Sequence, residues 1–190
     1  MPRLVLASSS PRRLELLARL GLTPDRLVSP DVEEAPLPAE LPRAYVQRIA
    51  LAKAAAVPRG PDEVVLAGDT TIAVGRRILG KPADEADWRR MLSLLSGRRH
   101  HCLSAVAVVD TSGAVRLRVS DSTVAFRPLS PAEIDAYVAT GEGMGKAGGY
   151  AIQGRAEVFV RHMAGSHSGI VGLPLAETRA LLRAAGVPLA

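Results

Sequence analysis

The residues nearest the start of the chain that are suited to chemistry are three hydroxyls followed by two arginines. Ser8–Ser10 precede Pro11, and Arg12 and Arg13 follow directly. This spacing predicts that Ser10 is the N-cap of a helix whose first residue is Pro11. Hydroxyls, backbone N–H groups and two guanidinium groups would then gather at the positive end of that helix, where anions bind. The segment predicts an oligophosphate site, with an ordinary capped helix as the alternative.

Lysine usage points to the same chemistry. Of the 24 Lys and Arg residues, 21 are arginines, and only Lys53, Lys81 and Lys146 are lysines. Lysine is a compact point charge that fits tight phosphate sites where a planar guanidinium does not. The three lysines are therefore predicted phosphate ligands, although each taken singly could be a solvated surface group.

Two acidic segments could supply the rest of a phosphoanhydride hydrolase. Such an enzyme needs a divalent cation, a group that orients or deprotonates water, and cations that hold the leaving pyrophosphate. Asp69 stands between glycine and threonine, in a predicted break at a strand end. It is the candidate group for orienting or deprotonating the water, or for holding the metal. Its alternative role is a turn aspartate that accepts local backbone hydrogen bonds. Glu33 and Glu34 could hold magnesium or could be solvated loop residues.

A glycine-rich loop surrounds the third lysine. Gly145–Gly149 contains Lys146 and permits close backbone approach to a phosphate. Neither the Walker spacing nor a G-x-G-x-x-G motif after a strand is present, so the two common nucleotide fingerprints do not apply.

Alternating strand and helix patterns position these residues. We expect an α/β fold around a mixed sheet, because one pair of long strands is joined by a hairpin at 111–113. The predicted strands are 4–7, 26–29, 64–67 resuming at 72–74, 101–110 and 114–126, with short extended pieces at 150–154 and 158–160. The predicted helices are 11–20, 43–57, one carrying Trp88 to Leu95, one opened by a capping box at 130–133, and 174–185.

Composition limits the function classes. With 190 residues and 47% hydrophobic content, the chain can bury one good core with a smaller lobe, and we predict a single catalytic domain over 1–190. Aromatic residues are only 3%, which argues against single-stranded nucleic-acid binding by base stacking. The net charge of +5 favours anionic partners, and a small polyphosphate satisfies it as well as nucleic acid does.

Cysteine usage and hydropathy bear on location. Cys102 is the only cysteine, so an intrachain disulfide is excluded and a reducing compartment is indicated. No apolar run suggests a signal peptide or a membrane span, so we expect a cytoplasmic protein without membrane partners. His100, His101 and Cys102 resemble a metal cluster, but neighbours on a strand point to opposite faces, which predicts a structural role.

The order of the motifs through nearly the whole chain resembles the Maf family of nucleoside triphosphate pyrophosphatases, and the block ending in Gln153-Gly154 resembles its dTTP/UTP branch. The resemblance implies a mixed-sheet fold with a cleft, a divalent metal (Mg²⁺ or Mn²⁺), homodimers, and release of nucleoside monophosphate and pyrophosphate. The motifs are Ala7–Arg13, Gly68-Asp69-Thr70, Gly80-Lys81-Pro82, Leu95-Ser96-Gly97, Gly145–Gly154 and Val171–Leu175.

Residue roles follow from that resemblance. It implies that Asp69 is the catalytic acidic residue and that Glu33 is a carboxylate near the metal, which Asp69 also contacts. The positions associated with base preference are Arg12, Thr70 and Gln153, and those on the phosphate side are Ser8, Arg13, Lys53, Lys81 and Lys146. The chain departs from the family where Gly68 replaces a common alanine and where Gly165–Gly169 replaces an often aromatic stretch.

Gln153 also has a physical argument for pyrimidine preference. Uracil and thymine present an N3–H donor between two carbonyl acceptors, which a side-chain amide can match with one acceptor and one donor. Two alternatives stay open: a pyrophosphatase for 7-methyl-GTP or another modified purine nucleotide, and a regulator that binds nucleotide or nucleic acid without catalysis.

Overall fold

The computed structural model describes residues 1–189. Within that range the strands are β1 (Arg3–Ala7), β2 (Arg26–Val28), β3 (Glu63–Val74), β4 (Arg77–Leu79), β5 (Arg99–Val109), β6 (Val115–Phe126) and β7 (Val160–Ala164). The helices are α1 (Pro11–Ala18), α2 (Pro42–Ala55), α3 (Glu85–Leu95), α4 (Pro131–Val138), α5 (His167–Val171) and α6 (Leu175–Ala184).

The strands form one mixed sheet in the order β2-β1-β3-β5-β6-β7, with β4 paired to β3. β1 runs parallel to both β2 and β3, whereas β3, β5, β6 and β7 pair antiparallel in succession. The predicted antiparallel hairpin and the mixed α/β class are confirmed. A division into a main and a smaller lobe stays a prediction.

The expected break in the third strand is wrong. β3 runs without interruption through Asp69, because Gly68 and Asp69 pair with Val106 and Ala105 of β5. The element that ends here is β1, whose last pair with β3 joins Ala7 to Ala67. Asp69 therefore lies on a continuous strand, just beyond the point where its parallel neighbour stops, and this leaves one edge of β3 open.

Helices cover both faces of the sheet. α2 packs on one face, where Val46 and Ile49 meet Val65 and Ala67. On the other face Leu16 and Leu17 of α1 and Leu182 of α6 cover Leu66 of β3 and Leu6 of β1. Farther along that face, α3 and α4 pack with Trp88 and Tyr137 against Phe126 of β6 and Tyr150. The burial of aliphatic side chains in three connected clusters holds the strands in register.

Most of the helix caps and elements predicted from local sequence signals are present in the structure. The capping box at Ser130 and Glu133 is present, as is proline at the first turn of α1. Ser10 occupies the N-cap position of α1, but its side chain makes no capping bond. The extended piece expected at 150–154 is instead a turn, and 155–159 is a 3₁₀ helix. β7 and α5 were not predicted.

The neighbours His100, His101 and Cys102 alternate across β5 as expected. His100 and Cys102 are buried on one side, and His100 Nε2 lies 2.9 Å from the Tyr150 hydroxyl. His101 is exposed on the other side, 2.8 Å from Asp121. The expected alternation is confirmed, and the three side chains do not share one face of β5.

Within residues 1–189, none of the helices combines the length and the apolar character needed to cross a bilayer.

Candidate active site

A cavity of about 580 Å³ opens at the carboxyl ends of the parallel strands β1 and β2. The crevice outside the carboxyl ends of strands is the usual ligand site of open α/β sheets. Its walls come from the β1–α1 segment, the open edge of β3, and loops far apart in the chain. Nine of the ten predicted site residues line it: Ser8, Arg12, Arg13, Lys53, Asp69, Thr70, Lys81, Lys146 and Gln153.

The β1–α1 segment presents its polar groups to this cavity through a tight turn. The Ser8 hydroxyl accepts the backbone N–H of Ser10 at 3.1 Å and a guanidinium N–H of Arg13 at 3.3 Å. Arg13 Nε donates to the carbonyl of Gly172 at 2.8 Å, which joins the segment to the chain after α5. Burial lowers the pKa of both Arg12 and Arg13, although arginine stays charged in proteins.

Lys53 is the centre of the charge arrangement. Its ammonium lies 2.8 Å from Asp69 Oδ1 and 2.7 Å from Glu34 Oε1, and the residue is 8% exposed. Glu34 also reaches Lys81, 3.4 Å from its Oε2. α2 places Lys53 on one face of the sheet, and the side chain of Asp69 on β3 points to that same face. One buried cation thus holds two carboxylates close together at the floor of the cavity.

The two carboxylates differ in acidity. Burial raises the pKa of Asp69 above its usual 3.8, and the attraction of Lys53 and Arg13 does not cancel this. Burial acts in the same direction on Glu34, but hydrogen bonds from Lys53 and Lys81 outweigh it and the pKa of Glu34 is lowered. One carboxylate is therefore the better base and the other stays ionised.

The structure does not bring Glu33 into the cavity. Its side chain accepts the backbone N–H of Ala35 at 2.8 Å, the residue is exposed, and it is not part of the lining. Glu34 occupies the place in the cavity that was expected for Glu33. The acidic turn contains both residues, and only the path of the loop across α2 decides which one faces Lys53.

Thr70 lies on the opposite face of β3 from Asp69 and is oriented by a neighbouring strand. Its hydroxyl is 2.7 Å from that of Ser104, its partner on β5, and Ser104 donates its own proton to the carbonyl of Gly169 at 2.5 Å. Thr70 must then donate its proton to Ser104, so its hydroxyl can act only as an acceptor toward a ligand in the cavity. Ser104 was missed by the sequence analysis, because its role depends on strand register.

The Lys146 loop closes the cavity above Lys81. The backbone N–H of Gly148 donates to the carbonyl of Gly80 at 2.9 Å, so the two lysine-bearing segments are joined to each other. Trp88 of α3 anchors the same loop, since its indole N–H donates to Gly149 at 2.6 Å. Gly148 has φ +70°, and a Cβ there would collide with Ile72, so glycine is required for this close packing.

Gln153 stands on the turn after this loop, and its side chain is exposed at the rim of the cavity. Its position at the edge is suited to contact with a part of a ligand that extends away from the lysines.

The donor set fits a divalent cation only in part. Asp69 and Glu34, which both contact the Lys53 ammonium, offer carboxylate oxygens as hard ligands. The buried Thr71 hydroxyl also lines the cavity and has no hydrogen-bond partner within residues 1–189. No group of three or more acidic, His or Cys side chains in the described range could hold a metal. Mg²⁺ commonly binds through one or two carboxylates together with substrate phosphates and water, and these residues fit that mode.

Comparisons with known proteins show the family of this chain. The family model described as Maf-like protein matches residues 3–185. A dTTP/UTP pyrophosphatase of Sphingopyxis alaskensis is 69% identical over 189 residues and covers 100% of both chains. Relatives with the same name from Novosphingobium aromaticivorans and Cereibacter sphaeroides are 57% and 56% identical, each over 98% of this chain and 93% and 96% of their own.

Among solved structures, a HAM1 protein from Coxiella burnetii is similar with a TM-score of 0.51. The match covers 97% of this chain and 100% of that chain at 18% identity. At this identity the likeness supports the fold alone, a mixed open sheet flanked by helices.

Proposed function

The chain belongs to the Maf family, and from that premise we propose that it hydrolyses dTTP and UTP to the nucleoside monophosphate and pyrophosphate. The names of the full-length relatives support the activity and the substrates. The observation that carries the proposal within this chain is the convergence of Arg13, Lys53, Lys81 and Lys146 on one cavity with Asp69 and Glu34. A triphosphate is the ligand that needs so many cations, and hydrolysis needs the carboxylates.

The residues of the cavity divide the reaction between them. Asp69 holds Lys53 through Oδ1, so Oδ2 is available to orient a water molecule and accept its proton. The raised pKa of Asp69 makes its carboxylate a better base than an exposed aspartate. Arg13, Lys81 and Lys146 hold the phosphate tail and complement the charge that develops on the leaving pyrophosphate.

A divalent cation, Mg²⁺ or Mn²⁺, completes this proposal. Asp69 and Glu34 would hold it, with Glu34 in the part first expected of Glu33. When bound, the ion neutralises phosphate oxygens and polarises the phosphorus that is attacked. Whether Asp69 acts chiefly on the water or on the ion is decided by the experiment on that residue described below.

The base would lie at the rim of the cavity. Gln153 offers one acceptor and one donor to the edge of uracil or thymine, and the Thr70 hydroxyl, which also lines the cavity, offers an acceptor. Arg12 is the third residue that we assign to base preference. The amide of Gln153 does not match the paired N1–H and amino donors of guanine, which a carboxylate would accept.

Product analysis tests the reaction. The protein is incubated with dTTP and MgCl₂ in ¹⁸O-labelled water, and the products are separated and weighed by mass spectrometry. We expect dTMP that carries the label and unlabelled pyrophosphate, because water attacks the α-phosphorus. Formation of dTDP and orthophosphate would identify a different hydrolase, and absence of turnover with dTTP and UTP would overturn the proposal.

Specificity is tested at Gln153. Glu at this position replaces the amide donor by a second acceptor, so we expect Gln153→Glu to lower kcat/KM for dTTP and UTP by about tenfold or more relative to 7-methyl-GTP. The three nucleotides are compared for wild type and variant under initial-rate conditions. An unchanged ranking would remove Gln153 from base recognition.

Two further properties stay predictions. A homodimer rests on the resemblance to the family. A cytoplasmic location rests on the single cysteine, Cys102, which is buried and free of any disulfide.

A further inference from the structure

The turn that carries Gln153 is held at both of its ends by two side chains from outside the turn. Tyr137 lies on α4, and Glu142 lies between the end of that helix and the glycine-rich loop. The Tyr137 hydroxyl donates to Glu142 Oε2 at 2.9 Å and accepts the backbone N–H of Ala151 at 3.2 Å. Glu142 Oε1 accepts the backbone N–H of Arg155 at 3.0 Å. Three residues lie between Ala151 and Arg155, and Gln153 is the middle one.

The space beside the turn is reserved for this carboxylate. A Cβ built on Gly154 would overlap Oε1, Cδ and Oε2 of Glu142. The φ angle of Gly154 is −119°, which any residue can adopt, so a side chain here would displace the Glu142 carboxylate without straining the backbone. The glycine next to Gln153 and the carboxylate of Glu142 therefore fit together as one packing unit.

Tyr137 ties this unit to the core. It is 3% exposed, and its ring makes edge contacts with Trp88 and Phe159, with centroids 5.7 and 5.3 Å apart. Burial raises the pKa of Tyr137, so its hydroxyl stays protonated and keeps donating to Glu142. A buried donor that is bonded in this way has one fixed orientation.

Glu142 is also linked, through Lys146, to the phosphate side of the cavity. Its backbone carbonyl accepts a hydrogen bond from the Lys146 ammonium. The side chain of Glu142 thus fixes the Gln153 turn, while its main chain contacts Lys146, which is predicted to bind phosphate. The backbone contact does not use the side chain, but the Glu142 carboxylate also attracts the Lys146 ammonium. Glu142→Gln removes this charge and keeps an acceptor for Arg155, so it separates the two roles.

We infer that Glu142, together with Tyr137, is a positioning residue that sets base selectivity by fixing the turn of Gln153. The inference rests on the proposed function, since it assigns Gln153 to the base. Glu142 does not line the cavity. Its effect reaches the substrate through the backbone of residues 151–155, where a displacement of about 1 Å is enough to cost a large factor in rate.

A double-mutant cycle tests this inference. The ratio of kcat/KM for dTTP to that for dCTP is measured for wild type, Glu142→Ala, Gln153→Ala and the double variant. We expect Glu142→Ala to reduce the ratio by about tenfold. In the Gln153→Ala background the same change should leave the ratio within about twofold, because the residue it positions is gone. Glu142→Gln, which keeps the acceptor for Arg155, should restore most of the selectivity.

The controls separate positioning from folding. Glu157→Ala removes the same charge from an exposed position in the following 3₁₀ helix, and it should leave the ratio unchanged. Melting temperatures by circular dichroism show whether each variant is folded, and Glu142→Gln carries the test if Glu142→Ala is not. Equal ratios in wild type and Glu142→Ala, no discrimination by the wild type, or additive effects in the cycle would each overturn the inference.

Binding without turnover keeps the two proposals distinct. Dissociation constants of dTTP and dCTP are measured by calorimetry in EDTA for the same variants. Wild type that binds dTTP selectively but releases no pyrophosphate with Mg²⁺ would refute the proposed function, and loss of that selectivity in Glu142→Ala would still support the inference. Release of pyrophosphate with selectivity independent of Glu142 would refute the inference alone.

Discussion

Lys53 determines the electrostatics of the cavity at the level of single residues. A buried ammonium without a partner is strongly destabilising, and here two carboxylates share it. The shared cation also limits the mutual repulsion of Asp69 and Glu34, which would otherwise act to raise the pKa of Asp69 further. The site can thus keep two acidic groups close together before a substrate or an ion is present.

Asp69→Asn is the sharpest test at this scale. The amide cannot accept a proton from water, so we expect kcat to fall by about a thousandfold. Lys53 retains Glu34 as a partner, and the fold should persist with an unchanged melting temperature. Pyrophosphate release and thermal unfolding are measured on the same preparation, with Mg²⁺ varied over a wide range.

The dependence on Mg²⁺ separates the two roles of Asp69. A variant that recovers activity at high Mg²⁺ would assign the residue to holding the ion, whereas a low rate at every concentration would assign it to the water. Turnover close to that of the wild type would refute both roles.

At the level of elements, the site exists because β1 stops while β3 continues. The parallel ladder ends at Ala7, and the antiparallel ladder with β5 carries β3 on through Asp69 and Thr70. Successive residues of a strand point to opposite faces, so Asp69 faces Lys53 on α2 and Thr70 faces Ser104 and the chain after α5. A single strand thus serves both walls of the cavity.

The joined loops of Lys81 and Lys146 give a prediction at the same scale. Lys81 is largely exposed and contacts Glu34 at 3.4 Å, so this ion pair contributes little to the free energy of unfolding. We expect Lys81→Ala and Lys146→Ala each to lower kcat/KM for dTTP by about tenfold or more through lost contact with the pyrophosphate, with little change in melting temperature.

Steady-state kinetics of the two lysine variants provide the measurement. Arg76→Ala, at the exposed turn between β3 and β4, removes a cation outside the cavity and is the matched control. Unaltered kinetics in both lysine variants would mean that these lysines do not bind the phosphate tail.

For the whole molecule, a buried histidine couples stability to pH. Burial lowers the pKa of His100 from 6.5 to about 4, and its ring packs against Phe126 and Tyr150 in the core. The unfolded chain takes up this proton more readily, so the stabilisation is complete above pH 6.5 and is lost as the pH falls toward 4. We expect His100 to account for up to about 3 kcal/mol of the free energy of unfolding lost over that range.

Urea unfolding at pH 7 and pH 4.5 measures this effect. His100→Gln should show a smaller difference between the two pH values than the wild type, whatever its stability at pH 7. His162→Gln, at an exposed position on β7, is the control. The same pH difference in the wild type and His100→Gln would show that the acid sensitivity arises elsewhere.

Much of this protein is determined by signals that act within a few residues. Proline at the start of α1, the capping box at Ser130 and the alternation of β5 and β6 predict their elements, because each depends on neighbours along the chain. The three lysines in an arginine-rich chain, with Asp69 in its motif, likewise indicate phosphate chemistry from residue type alone.

The tertiary structure decided what depends on distant partners. β7 is exposed along most of its length and shows no alternation, so only its pairing with β6 makes it a strand. Glu34 rather than Glu33 meets Lys53 because of the path of a loop, and Ser104 orients Thr70 because of strand register. The sequence names the groups that can do chemistry, but contacts between remote segments choose which of them share one cavity, since side-chain interactions act over a few ångströms in space regardless of separation along the chain.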